Sequence, residues 1–301
     1  MSERVSVIVN PAAGRGRGAR ILGRVTAAFA DVGVTEILLT RSRGHESTLA
    51  SDAIERGATT IVVVGGDGTT THVANAIMHS ASDARLAIIP AGTGNDFAKI
   101  LGTDKCDPAT LAVKVVEPGN THVDVGKVED HYFLNCCGFG FDVAVLERVL
   151  RGSWLRGNSV YLYTALSELL AYRGFDVRIS GEARRHLLLV VANTEFFGGM
   201  FRIAPGAQVS DGELDLVTVL DIPPARRLAV LAAAAKGTHF RFPECSMERA
   251  PSFELSFPAP PTYETDGELH SAASADLTVS SCPAALRVVT GPGSEPRTRV
   301  T

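Results

Sequence analysis

The chain has 301 residues, of which 45% are apolar, and its formal charge at pH 7 is −4. This length predicts one large domain or two smaller ones, and the slight acidity argues against nucleic acid held over a broad basic surface. Its apolar runs are far shorter than the ~20 residues that span a bilayer, and the five cysteines lack metal-ligand spacing, which indicates reduced thiols in a cytoplasmic protein.

The first third of the chain alternates strand and helix patterns. Strands are predicted at Val5–Val9, Thr35–Thr40, Thr60–Val64 and Leu86–Ile89. Helices are predicted at about 19–32 and 47–56, from the turn at Gly68 to His79, and at 96–101. Strands that alternate with helices predict a mostly parallel sheet covered on both faces.

Strand patterns dominate after residue 122, with few helices between them. They fall at about 122–127, 131–135, 176–180, 185–192, 213–220, 253–257, 268–271, 276–280 and 286–290. This arrangement predicts an antiparallel β-sandwich. We therefore place an α/β domain at residues 1–123, which the C-terminal segment 287–301 could join, and a β-sandwich domain at 124–286.

Three glycine-bearing turns each follow a strand of the first domain. They are Asn10–Gly14, Gly65–Thr69 and Pro90–Asp96. Such turns meet at the carboxyl edge of a parallel sheet, where ligands bind, and glycine lets backbone N–H groups approach a phosphate. Tight connections alone could explain any one turn, but three together favour a nucleotide-phosphate site. None has the spacing of a dinucleotide-binding or Walker A loop.

These motifs resemble the catalytic domain of diacylglycerol and sphingosine kinases, within the NAD kinase-like superfamily. The second turn matches the GGDGT motif of that family, and Pro90–Ala98 is similar to its PxGTxNDFA motif. Further matches follow at Asn135–Asp142, at 204–215 and at Thr265–Glu268. The resemblance covers nearly the whole chain and is closest to the bacterial diacylglycerol kinase-like enzymes.

The resemblance implies ATP in a cleft between the two domains, with Mg²⁺. The implied nucleotide contacts are Asn10, Pro11, Ala12, Ala13, Gly14, Thr40, Gly65, Gly66, Asp67, Gly68, Thr69, Thr70, Thr71 and Thr93. Asp67 would repel a phosphate unless a cation lies between them, so we interpret it as a magnesium-positioning acid. A cap on the following helix is its alternative. Thr70 and Thr71 replace the family's usual apolar residue and asparagine.

Two acids flank Gly267, and an extended segment would place both on one face. The resemblance implies that Glu268 accepts the proton of the alcohol, with Asp266 as its partner. A polar β-turn is the alternative, and the sequence leaves open which acid is the base. Paired carboxylates can raise one pKa into a useful range.

A second cation site is implied in the acidic segment that follows Val209. Its ligands would be the backbone carbonyls of Gln208 and Glu213 and the side chain of Asp211. Hard oxygen ligands suit Mg²⁺, while a solvated acidic turn is the alternative. Asp124 and Asp142 are weaker candidates, since a capping role would explain either residue.

The lipid would reach the site from a membrane surface without a spanning helix. Trp154 lies between Arg151 and Arg156, and the segment Phe196–Phe201 is apolar; each could contact lipid head groups or pack in the core. We expect transient contact with the inner face of the membrane, no nucleic-acid partner, and a homodimer as one assembly open to the chain.

The function predicted from these residues is ATP- and Mg²⁺-dependent phosphorylation of a lipid primary hydroxyl, with diacylglycerol as the first candidate. A kinase for a long-chain base or a prenol is the main alternative. More remote alternatives are a NAD kinase and a nucleotide-binding regulator without catalysis. The joint presence of Asp67, Asp266 and Glu268 favours an active enzyme.

Overall fold

The computed structural model describes residues 4–119, 121–151 and 167–294. Backbone contacts divide the chain into two units, and the chain passes between them four times. The first unit contains residues up to Val125, together with Gln208–Gly212 and the chain from Cys282 onward. The second contains Gly126–Ala207 and Glu213–Ser281. The division differs from the sequence-based one chiefly in the short segment Gln208–Gly212, which returns to the first unit.

A parallel sheet forms the centre of the first unit. Its strand order is β4-β3-β1-β2, and the end of β17 pairs with β4 at Val288 and Leu86. The strands are β1 Val5–Val9, β2 Ile37–Leu39, β3 Thr60–Gly65 and β4 Arg85–Pro90. Strands β1 and β3 are buried along their whole length, as expected of a sheet with helices on both faces.

Five helices connect or flank these strands. They are α1 Ala13–Asp31, α2 His45–Glu55, α3 Asp67–His79, α4 Asp96–Ile100 and α5 Pro108–Val116. Helix α5 is absent from the sequence-based prediction. Its first turn is formed by Asp107, whose side chain accepts the Thr110 N–H, and by Pro108 at the first helical position. Leu111, Ala112 and Val115 then bury one face of α5 in the core.

Antiparallel strands form the second unit. Their order is β16-β15-β7-β9-β8-β14-β17, and β12 pairs with both β9 and β13. Their bounds are β7 Cys136–Gly140, β8 Phe175–Ile179, β9 Glu182–Ala192, β12 Leu214–Leu220, β13 Cys245–Ala250, β14 Ser252–Ser256, β15 Thr262–Thr265, β16 Glu268–Ser271 and β17 Asp276–Val288. The predicted fold class, an α/β domain followed by an antiparallel sandwich-like domain, is confirmed.

The remaining elements are two strand pairs and the helices of the second unit. Strand β5 Thr121–Val128 pairs with β6 His131–Phe133, and β10 Phe196–Phe197 forms a hairpin with β11 Phe201–Arg202. Among the described residues, the helices of the second unit are α6 Phe141–Arg151, a helical stretch at 167–171, α7 Pro224–Ala234 and a 3₁₀ turn, His239–Arg241. Across the described residues, no helix combines the length and the apolarity that crossing a bilayer requires.

Candidate functional site

The three glycine turns converge at the carboxyl edge of the parallel sheet. The Cα atoms of Gly66 and Gly92 approach so closely that a Cβ added to Gly92 would lie 2.5 Å from Gly66 Cα. A Cβ on Gly14 would lie 2.0 Å from the carbonyl oxygen of Ala91, and Gly14 itself has a φ of 54°. Glycine is therefore required here by contact between the turns as well as by backbone conformation.

Hydrogen bonds also connect the turns. Asn10 Nδ2 donates to Thr69 Oγ1 at 2.9 Å, and Asn10 Oδ1 accepts the N–H of Ala12 at 3.0 Å. Thr40, which follows β2, donates its N–H to the carbonyl of Val9 at the end of β1. The predicted nucleotide contacts of Asn10–Gly14, Thr40, Gly65–Thr71 and Thr93 thus lie at the ends of four adjacent strands.

Asp67 is the acid at the centre of these turns. Its two carboxylate oxygens accept the backbone N–H groups of Asn95 and Asp96, each at 2.7 Å, at the start of α4. The alternative that Asp67 caps the following helix, α3, is wrong, since the N-cap of α3 is Gly66. Asp67 instead fixes the third turn, where Thr93 is exposed. Asp67 can hold this turn and face a cation together, because a carboxylate oxygen has more than one lone pair.

Thr70 and Thr71, where the sequence departs from the family pattern, are both 3% exposed. The Thr70 hydroxyl donates to the carbonyl of Gly66 at 3.1 Å, one turn back in the helix. The Thr71 carbonyl accepts from Asn75 Nδ2 at 2.9 Å. The Gly66 carbonyl therefore accepts both the N–H and the hydroxyl of Thr70, so the Thr70 side chain is used locally in the first turn of α3.

In the second unit, Asp266 and Gly267 form the two-residue turn of the β15–β16 hairpin. Both have positive φ, 49° and 88°, and Thr265 pairs with Glu268 across the turn. This is the turn that an Asp-Gly sequence favours. The segment is not extended through Gly267, so the expectation that Asp266 and Glu268 share a face by strand periodicity is wrong.

The two acids of this turn have different surroundings. Asp266 accepts three backbone N–H groups, from Leu134 at 2.8 Å, Asn135 at 2.9 Å and Cys136 at 3.0 Å. Its carboxylate holds the segment before β7 against the hairpin. Glu268 is half-buried at the first position of β16. Asp266 is thus occupied by main-chain donors, which leaves Glu268 as the better candidate for a proton acceptor.

The predicted second cation site lies around Gln208–Glu213. Asp124, a buried residue of β5, organises this loop: its carboxylate accepts the N–H groups of Gly212 and Ala284, both at 2.7 Å, and its own N–H donates to Val209. The described residues contain no group of three or more His, Cys, Asp or Glu side chains arranged for a metal ion. The predicted ligand set has one side chain and two main-chain carbonyls, and such oxygens fit Mg²⁺.

A pair of buried acids lies beside the β15–β16 turn, and only one of them, Asp142, was named as a candidate from the sequence. Glu264 is 1% exposed and Asp142 is 5% exposed. Burial raises the pKa of Asp142 to about 7 and that of Glu264 well above its usual range. The sequence signal for Glu264 is its place on β15, two residues before Asp266.

The second unit also contains an apolar cavity of about 420 Å³. Its aromatic wall consists of Phe139, Phe175 and Phe257, with ring centroids 5.1 Å apart for Phe139–Phe257 and 6.2 Å apart for Phe175–Phe257. Glu147 and Asp176 supply carboxylates to its lining. Its volume lies within the range of small-ligand pockets.

Of the two predicted membrane-contact segments, Trp154 lies outside the described residues. The other segment forms the β10–β11 hairpin, in which Phe196 pairs with Arg202 and Phe197 with Phe201. Its tip carries Met200, whose side chain is 64% exposed.

Comparison with known proteins agrees with this geometry. Residues 4–128 match the model of the diacylglycerol kinase catalytic domain, and residues 135–290 match that of the YegS C-terminal NAD kinase beta sandwich-like domain. A diacylglycerol kinase of Mycobacterium tuberculosis is 30% identical, over 95% of this chain and 94% of its own. The Bacillus subtilis diacylglycerol kinase is 27% identical, over 88% and 90%.

A crystal structure from Bacillus anthracis, of a protein assigned as a diacylglycerol kinase, superposes with a TM-score of 0.77 at 26% identity, covering 97% of this chain and 98% of that one. The similarity extends over both units. The chain therefore belongs to the diacylglycerol kinase catalytic-domain family, and it is a lipid kinase with an alcohol acceptor.

Proposed function

We propose that this protein transfers the γ-phosphate of ATP to the primary hydroxyl of diacylglycerol, which yields phosphatidic acid. The observation that carries the proposal is the convergence of three glycine turns around Asp67 at the carboxyl edge of the sheet. In an α/β sheet this edge is where phosphates bind. Main-chain N–H groups and the Thr69 hydroxyl would receive the phosphates there.

Asp67 would hold the nucleotide's Mg²⁺ while keeping the third turn in place through Asn95 and Asp96. The ion would shield phosphate charge during transfer. Because the same carboxylate orders the turn that carries Thr93, the positions of the cation and of the phosphate-binding main chain depend on one residue.

Glu268 would accept the proton of the attacking alcohol. An alcohol is a poor nucleophile at neutral pH, and a positioned base is typically worth about 10²–10⁴ in rate. Asp266 would act as a positioning residue, because its carboxylate is engaged by the N–H groups of Leu134, Asn135 and Cys136.

The apolar cavity of the second unit supports a lipid acceptor over NAD. Its aromatic wall of Phe139, Phe175 and Phe257 suits an acyl chain, and the two acids in its lining would repel a dinucleotide phosphate. The partly exposed hairpin around Met200 would touch the membrane from which the lipid is drawn. We place this contact at the inner face of the membrane.

The test is phosphate transfer from labelled ATP to a panel of diacylglycerol, a long-chain base, a prenol and NAD. Diacylglycerol should be the best acceptor, and Glu268→Gln should lower the rate of transfer by about 10²–10⁴, while Glu254→Gln, on an exposed strand position, should not. Faster transfer to another acceptor would replace diacylglycerol as the substrate.

The cavity can be tested separately by filling it. Ala144 lines the cavity, whereas Ala232 is exposed on α7. We expect Ala144→Phe to reduce activity on long-chain diacylglycerol more than on a short-chain form, and Ala232→Phe to change neither. Equal losses on both lipids would mean that the acyl chain binds elsewhere.

A further inference from the structure

The buried carboxylates of Asp142 and Glu264 both lie next to Gly138 in β7. A Cβ placed on Gly138 would lie 1.7 Å from Asp142 Oδ2 and 2.7 Å from Glu264 Oε1, so both oxygens occupy the space that a side chain would fill. Glu264 lies directly opposite Gly138 in the β15–β7 pairing. Asp142 reaches the same point from the first turn of α6. The missing side chain of Gly138 creates the room for this contact.

One carboxylate oxygen of Asp142 and Glu264 has no hydrogen-bond partner among the described residues. Asp142 Oδ1 accepts the N–H of Val143 at 2.8 Å, whereas Oδ2 is buried and has no hydrogen-bond partner among the described residues. Glu264 Oε2 accepts the N–H of Gly267 at 2.6 Å, and its Oε1 accepts the thiol of Cys136 at 3.7 Å. A hydrogen can therefore lie between Asp142 Oδ2 and Glu264 Oε1, the two oxygens nearest Gly138.

Among the described residues, the ionisable groups that interact with the pair carry no positive charge. They are the buried thiols of Cys136 and Cys137, the carboxylate of Asp266 and the hydroxyl of Tyr172. Burial and the adjacent acids raise the pKa of both thiols well above their usual range, and the pKa of Tyr172 is raised to about 12. Both thiols and the Tyr172 hydroxyl stay uncharged at pH 7.

Two carboxylates buried this closely cannot both ionise at neutral pH. We propose that Asp142 and Glu264 share a proton between Oδ2 and Oε1, and that this protonated pair is a positioning device for the turn that carries Glu268. Glu264 acts through its bond to the Gly267 N–H, which lies between the two acids of the turn. Asp142 links Glu264 to the first turn of α6, because its other oxygen accepts the N–H of Val143.

The kinetic part of this inference rests on the proposed function, in which Glu268 is the base. Loss of the last proton would leave two adjacent negative charges that no cation of the described residues faces. Their repulsion would move Glu264 away from Gly138, and with it the acceptor of the Gly267 N–H. The orientation of Glu268 would then depend on a proton that never reaches the substrate.

The first experiment counts protons and needs no substrate. In the unfolded chain both carboxyls are free, with pKa values near 4, and have lost their protons above that pH. The folded pair keeps one proton, so the contribution of the pair to stability falls as pH rises. We expect the unfolding equilibrium constant of the wild type to rise about tenfold per pH unit between pH 5 and 7, relative to Glu264→Gln. Asp142→Asn should behave like Glu264→Gln, and the exposed control Glu254→Gln like the wild type.

Urea unfolding at each pH measures this difference. In Glu264→Gln the new amide can donate to Asp142 Oδ2 in place of the shared proton, which favours the ionised form of Asp142. An infrared band of a protonated carboxyl, present in the wild type at pH 7 and absent in Glu264→Gln, gives the same answer without unfolding. If the free energies of unfolding of wild type and Glu264→Gln change in parallel with pH, the proposal of a shared proton is refuted. A difference in stability between wild type and Glu264→Gln that disappears when Mg²⁺ or Ca²⁺ is replaced by chelator would also refute it, because the pair would then hold a cation.

The second experiment measures kcat against pH with diacylglycerol as acceptor. Glu264→Leu removes the acceptor of the Gly267 N–H and should lower kcat at least tenfold at constant KM for ATP, while Glu264→Gln should restore it. The alkaline limb of the wild-type profile should be missing in Glu264→Gln. An unchanged alkaline limb would refute the positioning role. Absence of wild-type activity on every lipid would refute the proposed function alone, since the urea and infrared results stand independently.

Discussion

Asp266 and Glu268 can be separated by matched amide substitutions. In Asp266→Asn the side-chain oxygen keeps the donors from Asn135 and Cys136, but the new amide faces the N–H of Leu134. Losing a hydrogen bond to a charged acceptor costs about 1.5–3 kcal/mol, and a buried unsatisfied donor costs about 1–3 kcal/mol. Asparagine tolerates the positive φ of position 266. We therefore expect the free energy of unfolding to fall by about 2–4 kcal/mol.

Glu268→Gln should give the opposite result. Glu268 is half-buried at the start of β16, and such surface changes usually alter stability by about 0.5 kcal/mol or less. Its kcat should fall by about 10²–10⁴ with little change in the KM for ATP, and the acid limb of the pH–rate profile should disappear. Urea unfolding followed by circular dichroism gives the stabilities, and transfer of labelled phosphate gives the rates.

The outcome that refutes this reasoning is specific. If Asp266→Asn unfolds at the urea midpoint of the wild type and is inactive, while Glu268→Gln stays active, Asp266 is the base and its three N–H contacts do not hold the turn. If both variants stay active, the base must be sought elsewhere, with Asp67 as the next candidate.

Three further predictions concern other parts of the chain. Asp67→Asn should abolish turnover at all Mg²⁺ concentrations and also lower the melting temperature, because Asn95 and Asp96 lose a charged acceptor; near-normal turnover at low Mg²⁺ would contradict it. Asp211→Ala should lower the melting temperature more in Mg²⁺ than in chelator, and equal losses would indicate a solvated turn. Burial lowers the pKa of His239, so the contribution of this histidine to stability should decrease as pH falls below about 6.5. The urea midpoints of wild type and His239→Gln should therefore diverge between pH 5 and 7, and parallel midpoints would refute the prediction.

Much of the candidate site could be predicted from the sequence, because short-range sequence patterns determine where its turns lie. The glycine turns end apolar strands, and parallel strands bring their carboxyl ends to one edge. The contacts of Asp67 could not be predicted, since its partner N–H groups lie 28 and 29 residues away. The same holds for Asp266, whose donors lie at least 130 residues before it.

The fold was predictable where the hydrophobic pattern is strong and failed where it is interrupted. Strand β1 was predicted with its observed bounds, Val5–Val9. Strand β7 was missed because its glycines weaken the strand pattern, although Gly138 is the residue that makes room for two acids. Strand β17 was predicted as two strands, because Pro283 and Ala284 interrupt the pattern, and Ala284 does have a positive φ of 50°.

The four passages of the chain between the two units have a consequence for synthesis on the ribosome. The parallel sheet gains its partner at Val288 only when the chain has been made about 200 residues beyond β4. A fragment that ends at Val125 would lack this strand and the Gln208–Gly212 segment that Asp124 binds. The first unit thus cannot be completed until the chain beyond Cys282 has been made, and producing it alone would require a gene that joins its separate segments rather than a simple truncation.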